Sequence, residues 1–285
     1  MSTNLLRRAS APGADGTIVR TDPADAGWRY LTFDVRRLAP GARVDRAGDG
    51  DEVLVLVLEG SATVTAGDAP DGIGGTARGG TWTGVGGRET VFSLAPAGMV
   101  LAAPGSDVSV VAETAALVGI AHAPGGDLRM TRRIGLDEVA MEERGSGQTA
   151  RRVHHLLPPG GDRAGRLIAF EVYTPGGNWS SYPPHKHDTE DPPTEAYLEE
   201  LYFYRFAKPQ GFAFARVYTP DRSLDEAMAP TDCDIVVVPR GYHPVGAPAG
   251  YDCYYLNVMA GDHRAWHFTT DPDHAWLMDW TPPAS

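Results

Sequence analysis

The sequence predicts an all-β chain of two antiparallel β units, and three observations predict it. Glycine and proline are abundant, 34 and 23 among 285 residues, and fall mostly between short Val-, Ile- and Tyr-rich runs, as turns fall between strands. No long stretch repeats its apolar residues at helical spacing. A charged stretch near the middle separates two series of such runs, which suggests an internal duplication although the halves share little literal sequence. A hydrophobic share of 42% is ample for a packed core.

In chain order, residues 1 to about 27 are polar and rich in Gly and Ala, as an arm would be. Residues 28–35 (WRYLTFDV) give the first strand signal. Residues 52–58 (EVLVLVL) are a near-continuous branched apolar run ending at Glu59-Gly60, and 62–65 alternate again, as the return strand of a hairpin would. Residues 68–87 are dense in glycine and lack periodicity, so a long surface loop is expected there. Short strands are expected at 91–94, 99–103, 108–112 and 116–121, with turns at Pro96 and Pro104-Gly105. This first unit, residues 1–125, has His122 as its only histidine and reads as structural.

Residues 126–151 form a charged connector, with Arg129, Arg132, Arg133, Asp137, Glu138, Glu142, Glu143 and Arg144, read as a solvated linker with a helical turn or two near 136–143. The second unit, 152–285, opens on a strand containing His154 and His155. It continues through strands at 167–173, 212–218, 234–239 and 251–260, with helical potential at 223–228. Its tail carries His263, His267 and His274 near Trp266 and Trp276, read as packing groups.

Lys+Arg 25 against Asp+Glu 37 gives a net charge of -12, which argues against a nucleic-acid partner or an anionic membrane surface. An anionic metabolite would need a local basic pocket. Residues 1–16 contain Arg7 and Arg8 but no apolar core of a signal peptide, and apolar residues never run unbroken for the roughly 18 positions of a membrane span. The two cysteines, Cys233 and Cys253, sit in strand-like segments and read as buried free thiols. A cytoplasmic chain is expected.

The chemistry concentrates in residues 180–206. His185 and His187 stand one residue apart, so on a strand both face one side and Lys186 the other. Glu200 opens an aromatic strand in which Tyr202 and Tyr204 share its face; Glu199 competes with it but points to the opposite face. His243 follows the rigid Pro239-Arg240-Gly241 corner. Three imidazoles and a carboxylate suit a first-row divalent metal and leave positions open, as catalytic sites do. A lone H-x-H pair is also the pattern of hydrogen-bonded surface histidines; the strand-borne glutamate and the P-x-G-x-H corner are what argue for metal. Asp188, Glu190, Asp191 and Glu195 read as a solvated acidic loop at the mouth of the site.

The H-x-H pair, the later glutamate and the P-x-G…H corner resemble the two motifs of the cupin superfamily, with Glu200 set farther from the histidines by residues 188–198. Longer strings are more specific: GNWSSYPPHKHD at 177–188, Leu198-Glu199-Glu200 before Tyr202-Phe203-Tyr204, and Asp271-Pro272-x-His274-x-Trp276. These resemble the 5-deoxy-glucuronate isomerase family of myo-inositol catabolism, bicupins related to 5-keto-4-deoxyuronate isomerase. The similarity covers nearly the whole chain and is strongest over residues 152–276.

The resemblance implies a two-domain bicupin, two antiparallel β-barrels or jelly rolls, of which only the C-terminal one binds metal. It implies an aldose–ketose isomerisation of 5-deoxy-D-glucuronate to 5-dehydro-2-deoxy-D-gluconate, with a divalent metal on His185, His187, Glu200 and His243. The related uronate isomerase points to zinc, while the ligand set also accepts manganese, iron or nickel. For the general base and the proton donor the nearby sequence offers Lys186, Glu199, Tyr182, Arg205 and Tyr254; for the substrate carboxylate it offers Arg166, Arg205, Arg216 and Arg240. The same ligands would serve a metal-dependent dioxygenase, and a non-catalytic sugar-binding bicupin would need no turnover. The expected partner is a small sugar acid, and exposed strand edges would allow a homodimer.

Overall fold

The computed structural model describes residues 4–67, 79–125, 128, 130–161 and 163–280. Strands dominate them, in sheets of nine, seven, four and two strands, and the one α-helix is the four-residue Pro23–Ala26. The all-β class is therefore the one observed. No sheet closes on itself through hydrogen bonds among the described residues. No helix there is long and apolar enough to cross a membrane.

The N-terminal half is organised by one sixteen-residue strand, Asp51–Ala66. Its first part pairs with Ala116–Pro124 and Gly98–Ala102, and its second part with Val108–Ala112 and Gly80–Arg88. The hairpin expected at Glu59-Gly60 is absent. A register shift between Val57 and Glu59 and a positive φ of 74° at Gly60 bend the strand from one pairing to the other without reversing it. A Cβ at Gly60 would lie 2.2 Å from the Ala115 carbonyl oxygen, so only glycine fits the bend. The return strand is Gly80–Arg88, inside the segment expected to be loop; its glycines hide the alternation that marks a strand. Residues 68–78 of that expected loop lie outside the described residues.

The unbroken run in Asp51–Ala66 has a physical cause, since both faces of the strand are buried. Val53, Val55 and Val57 belong to the core of the N-terminal half. Leu54, Leu56 and Leu58 join a second core that also contains Leu201, Phe203 and Ile168 of the C-terminal half. Phe33 and Phe203 meet across it with ring centroids 6.3 Å apart.

The seven-stranded sheet runs in the order Leu6–Arg7, Ile235–Val238, Leu198–Phe206, Cys253–Gly261, Leu167–Thr174, Arg151–Leu157, Ala140–Arg144. Its edges correct two expectations. The N-terminal arm adds Leu6–Arg7 to one edge, and Thr17–Thr21 pairs with Thr32–Leu38. The connector is woven into both halves: Arg132–Ile134 pairs with Gly98–Ala102, and Ala140–Arg144 with Arg151–Leu157. Its helical turn shrinks to the 3-10 segment Leu136–Glu138, and Arg129 lies outside the described residues. Val91–Ser93 is a 3-10 turn rather than a strand, and Asp225–Met228 is a strand rather than a helix. Both cysteines are buried and free.

A reciprocal contact joins the halves. Glu52 accepts hydrogen bonds from the N–H groups of Gly165, Arg166 and Leu167 at 2.6, 2.6 and 2.8 Å. Glu199 does the same for Arg29, Tyr30 and Leu31, the last two at 2.8 and 2.9 Å. Glu52 lies opposite Ala123 and Glu199 opposite Ala260 in corresponding ladders, so the residue after each glutamate is Val53 in one half and Glu200 in the other. The apolar side chain at that position leaves the N-terminal half no carboxylate there. Because Glu52 is fully buried, Glu52→Gln would set an amide NH2 against backbone donors. We expect a loss of about 1–3 kcal/mol, read as a lower urea midpoint with activity per folded molecule unchanged. An unmoved midpoint would show that these bonds do not hold the halves together.

Candidate metal centre and its cavity

His185 lies on the short strand His185–Lys186, which pairs with Thr269–Thr270. Two residues on, His187 is locked to the start of Leu198–Phe206: Leu198 N–H donates to the His187 carbonyl at 2.9 Å, and the His187 ring bonds the Leu198 carbonyl at 2.9 Å. In the acidic segment between them Glu190 and Asp191 are exposed as expected, but Asp188 and Glu195 are engaged with protein groups. Lys186 Nζ is held by Asp188 at 2.7 Å and by Glu195 at 2.8 Å, and Glu195 is buried. Asp188 also accepts from the N–H of Gly241 at 2.7 Å, tying the histidine pair to the corner that presents His243. Gly241 has a φ of 91°, and a Cβ there would lie 2.4 Å from the Tyr218 carbonyl oxygen, which is why that corner needs glycine.

The three rings are oriented alike. Nδ1 of His185, His187 and His243 contacts the backbone carbonyl of Pro183, Leu198 and Gly241 at 3.2, 2.9 and 2.8 Å. A carbonyl only accepts, so each Nδ1 carries a proton and each ring turns its Nε2 inward. The ligand nitrogens lie within 4.8 Å of one another. Glu200, fully buried, places Oε2 2.9 Å from Nε2 of both His187 and His243, while Asn257 Nδ2 donates to its other oxygen. His243 Nε2 is that close to the carboxylate, yet it is buried without an aligned hydrogen bond. Two ring nitrogens and a carboxylate oxygen this close need a cation between them, a proton or a metal ion. The donor set therefore fits a first-row divalent metal.

The electrostatics favour an ionised Glu200. Burial opposes the Glu200 charge, but His243 and His187 outweigh it and hold the carboxyl well below the usual carboxylate range. Burial, then the neighbouring His243 and His187, pull His185 down to about 3. Burial also opposes a charged His187, but the bond to Glu200 outweighs it and raises that ring. Trp266 covers the pair, its ring centroid 6.1 Å from His185 and 5.5 Å from His187.

A cavity of about 130 Å³ is lined by His185 and Glu200 with Asn257, Tyr255, Arg151 and His155. A second, of about 340 Å³, shares Arg151, His185 and Trp266 and is bordered by Tyr182, Phe268 and Met278. A larger cavity of about 370 Å³ beside Phe92 and Tyr173 is lined by none of His185, His187, Glu200 and His243, so it is not the chemical site. Alternation builds the inner wall: Arg151, Val153 and His155 share one face of their strand, opposite Phe170 and Val172, with Tyr255 and Asn257 beyond.

Of the residues read from sequence, His185, His187, Glu200 and His243 are brought together, and Tyr182 borders the outer cavity. The others face elsewhere. Lys186 is bound in the acidic loop, and Glu199 caps the strand start at residues 29–31. Arg205 pairs with Glu59 and Asp232, each at 2.8 Å, and Tyr254 donates to Glu171 at 2.9 Å. Arg166 spends its donors on the carbonyls of Pro124 and Gly261, Arg216 is paired with Asp225, and Arg240 is exposed and lines neither cavity. Missed by sequence reasoning were Arg151, His155, Tyr255 and Asn257. Asn257 had a signal, a lone amide inside the apolar run YYLNVMA. Because it orients Glu200, Asn257→Ala should weaken metal binding by roughly tenfold to a hundredfold in a competitive chelator titration. Unchanged affinity would mean Glu200 needs no such support.

Residues 5–277 match the KduI/IolB family. A 5-deoxy-glucuronate isomerase of Geobacillus kaustophilus is 42% identical over 278 residues, 97% of this chain and 96% of that protein. A protein of the same name from Lacticaseibacillus casei is 42% identical over 251 residues, 88% of this chain and 89% of its own. The crystal structure of an IolB-like protein from Salmonella typhimurium superposes with a TM-score of 0.89 at 42% identity, covering 96% of this chain and 99% of that one. An oxalate decarboxylase of Lactobacillus farciminis shares the fold alone, with a TM-score of 0.63 at 13% identity over 99% of this chain and 92% of that one.

Proposed function

The chain belongs to the KduI/IolB family, and on that premise we propose that it is a metal-dependent 5-deoxy-glucuronate isomerase converting the open-chain aldose to 5-dehydro-2-deoxy-D-gluconate. The observation that carries the metal dependence is the convergence of three histidine rings and the Glu200 carboxylate, with His185 and Glu200 opening on the inner cavity. His185, His187, Glu200 and His243 would hold the ion, zinc being the first expectation from the family resemblance. A divalent metal bound there supplies Lewis acidity to a carbonyl and its neighbouring hydroxyl, which is what an enediolate reaction requires.

The chain's own groups do the rest. Asn257 holds Glu200, and the three backbone carbonyls fix the ring tautomers. Tyr255, Phe170 and Trp266 wall the cavity with apolar surface that limits water. His155 lines the same cavity with Nε2 3.0 Å from Glu142 Oε2, which places an imidazole beside the substrate space. The test is incubation of metal-loaded protein with 5-deoxy-glucuronate, with and without oxygen, followed by NMR. Ketose in both arms supports the isomerase. Oxygen-dependent loss of substrate would make it a dioxygenase, and an unchanged sugar would leave a binding protein.

A further inference from the structure

We propose that Arg151 recognises the substrate carboxylate and so gives the site its preference for sugar acids over neutral sugars. The inference rests on the isomerase reading for the identity of the substrate, and on geometry for the residue. Arg151 begins its strand on the face that lines the cavities, and it borders both the inner one, with His185 and Glu200, and the outer one, with His185 and Tyr182. A sugar acid reacting at one end and ionised at the other needs a cation at some remove from the metal ligands on a common wall. Arg151 occupies such a place.

Its bonding singles it out. The half-buried guanidinium makes one hydrogen bond, from Nη1 to the Thr149 carbonyl at 2.8 Å, and has no carboxylate within ion-pair distance among the described residues. Other sheltered arginines are ion-paired or bonded to several carbonyls. Arg88 has Glu171, Arg205 has Glu59 and Asp232, and Arg264 is bonded to the carbonyls of Leu167, Gly160 and Pro158. Arg144 lines the same two cavities, but it is held by both oxygens of Glu142 at 3.1 and 2.8 Å, and that same carboxylate also takes His155. Burial pulls the Arg151 guanidinium below its ordinary value, which an incoming anion would reverse. A planar fork with most of its five donors free is the group that binds a carboxylate through two parallel bonds. In a chain of net charge -12, such a local cation is what lets an anionic sugar enter.

The test compares D-gluconate with D-glucitol, which differ by a carboxylate against a hydroxymethyl group, by calorimetric titration of metal-loaded wild type, Arg151→Gln, Arg151→Lys and Arg144→Gln. Turnover of 5-deoxy-glucuronate is measured on the same samples. Arg151→Gln should cut the acid-over-neutral preference by roughly tenfold to a hundredfold and raise KM more than it lowers kcat. Arg151→Lys should recover part of the preference, and Arg144→Gln should leave it intact. Using a ratio of two ligands removes any general loss of folded protein. An Arg151→Gln protein with wild-type preference and KM overturns the inference, as does transfer of the effect to Arg144→Gln. If wild type forms no ketose but its acid preference still depends on Arg151, the isomerase reading fails while the recognition stands.

Discussion

His243→Ala should bind metal far more weakly than wild type and lose turnover by about a thousandfold or more while remaining folded. The expectation follows from where His243 stands. It reaches the centre from a separate loop, and its Nε2, 2.9 Å from Glu200, is buried without an aligned hydrogen bond. Removing it takes away one of three inward nitrogens but leaves the strand Leu198–Phe206 and its ladders intact. Lewis-acid stabilisation of developing charge is worth several kcal/mol, and each 1.4 kcal/mol or so is tenfold in rate, which sets the magnitude. Metal content by mass spectrometry, the urea midpoint and the rate of ketose formation are the three measurements. Chelation of wild type should reproduce the loss, and divalent metal should restore wild type but not the variant at equal concentration. Full occupancy and wild-type turnover in His243→Ala would remove that residue from the site. Unchanged turnover of a verified metal-free wild type would end the metal-dependent mechanism altogether.

How much of this centre was legible depends on how local each signal is. His185, His187, Glu200 and His243 could be read because strand alternation and a Pro-Gly corner express side-chain direction over a few residues. The all-β class was legible for the same reason, in runs and turns. What failed was everything decided by distant partners. Gly60 looks like a turn, and only the pairing of Asp51–Ala66 with strands on both sides of it shows a bend that continues. Asp188 and Glu195 look solvated in the sequence, because their task of holding Lys186 and Gly241 is done by contacts across the loop. Arg151 sits at the edge of a charged connector and carries no motif; it becomes visible when its strand is paired and its neighbour Arg144 is seen to be already bound by Glu142.

The second large effect lies between the halves. Arg88, from the N-terminal half, is 6% exposed and places Nη2 2.5 Å from Glu171 of the C-terminal half, which is fully buried. Arg88 also donates to the carbonyls of Leu58 and Ala95, while Glu171 accepts from Tyr254 at 2.9 Å. Arg88→Met should destabilise the chain by about 3–5 kcal/mol, because it strands a buried carboxylate rather than merely removing an attraction. The pH dependence separates these two causes. In wild type, burial pushes the Glu171 carboxyl up, but Arg88, His154 and Tyr254 outweigh it and hold it below its ordinary value. Its contribution is then present above the unfolded carboxylate range and is lost as pH falls through the lower folded value. Without Arg88, burial dominates and the folded value rises above the unfolded one, so the variant's penalty is fullest at neutral pH and shrinks as Glu171 takes up a proton. Urea midpoints of the two proteins should therefore approach each other between pH 7.5 and pH 5. A gap that stays constant over that range would mean the loss comes from packing and from the abandoned carbonyls, and the double substitution Arg88→Met with Glu171→Leu, expected to regain much of the stability, would then regain little.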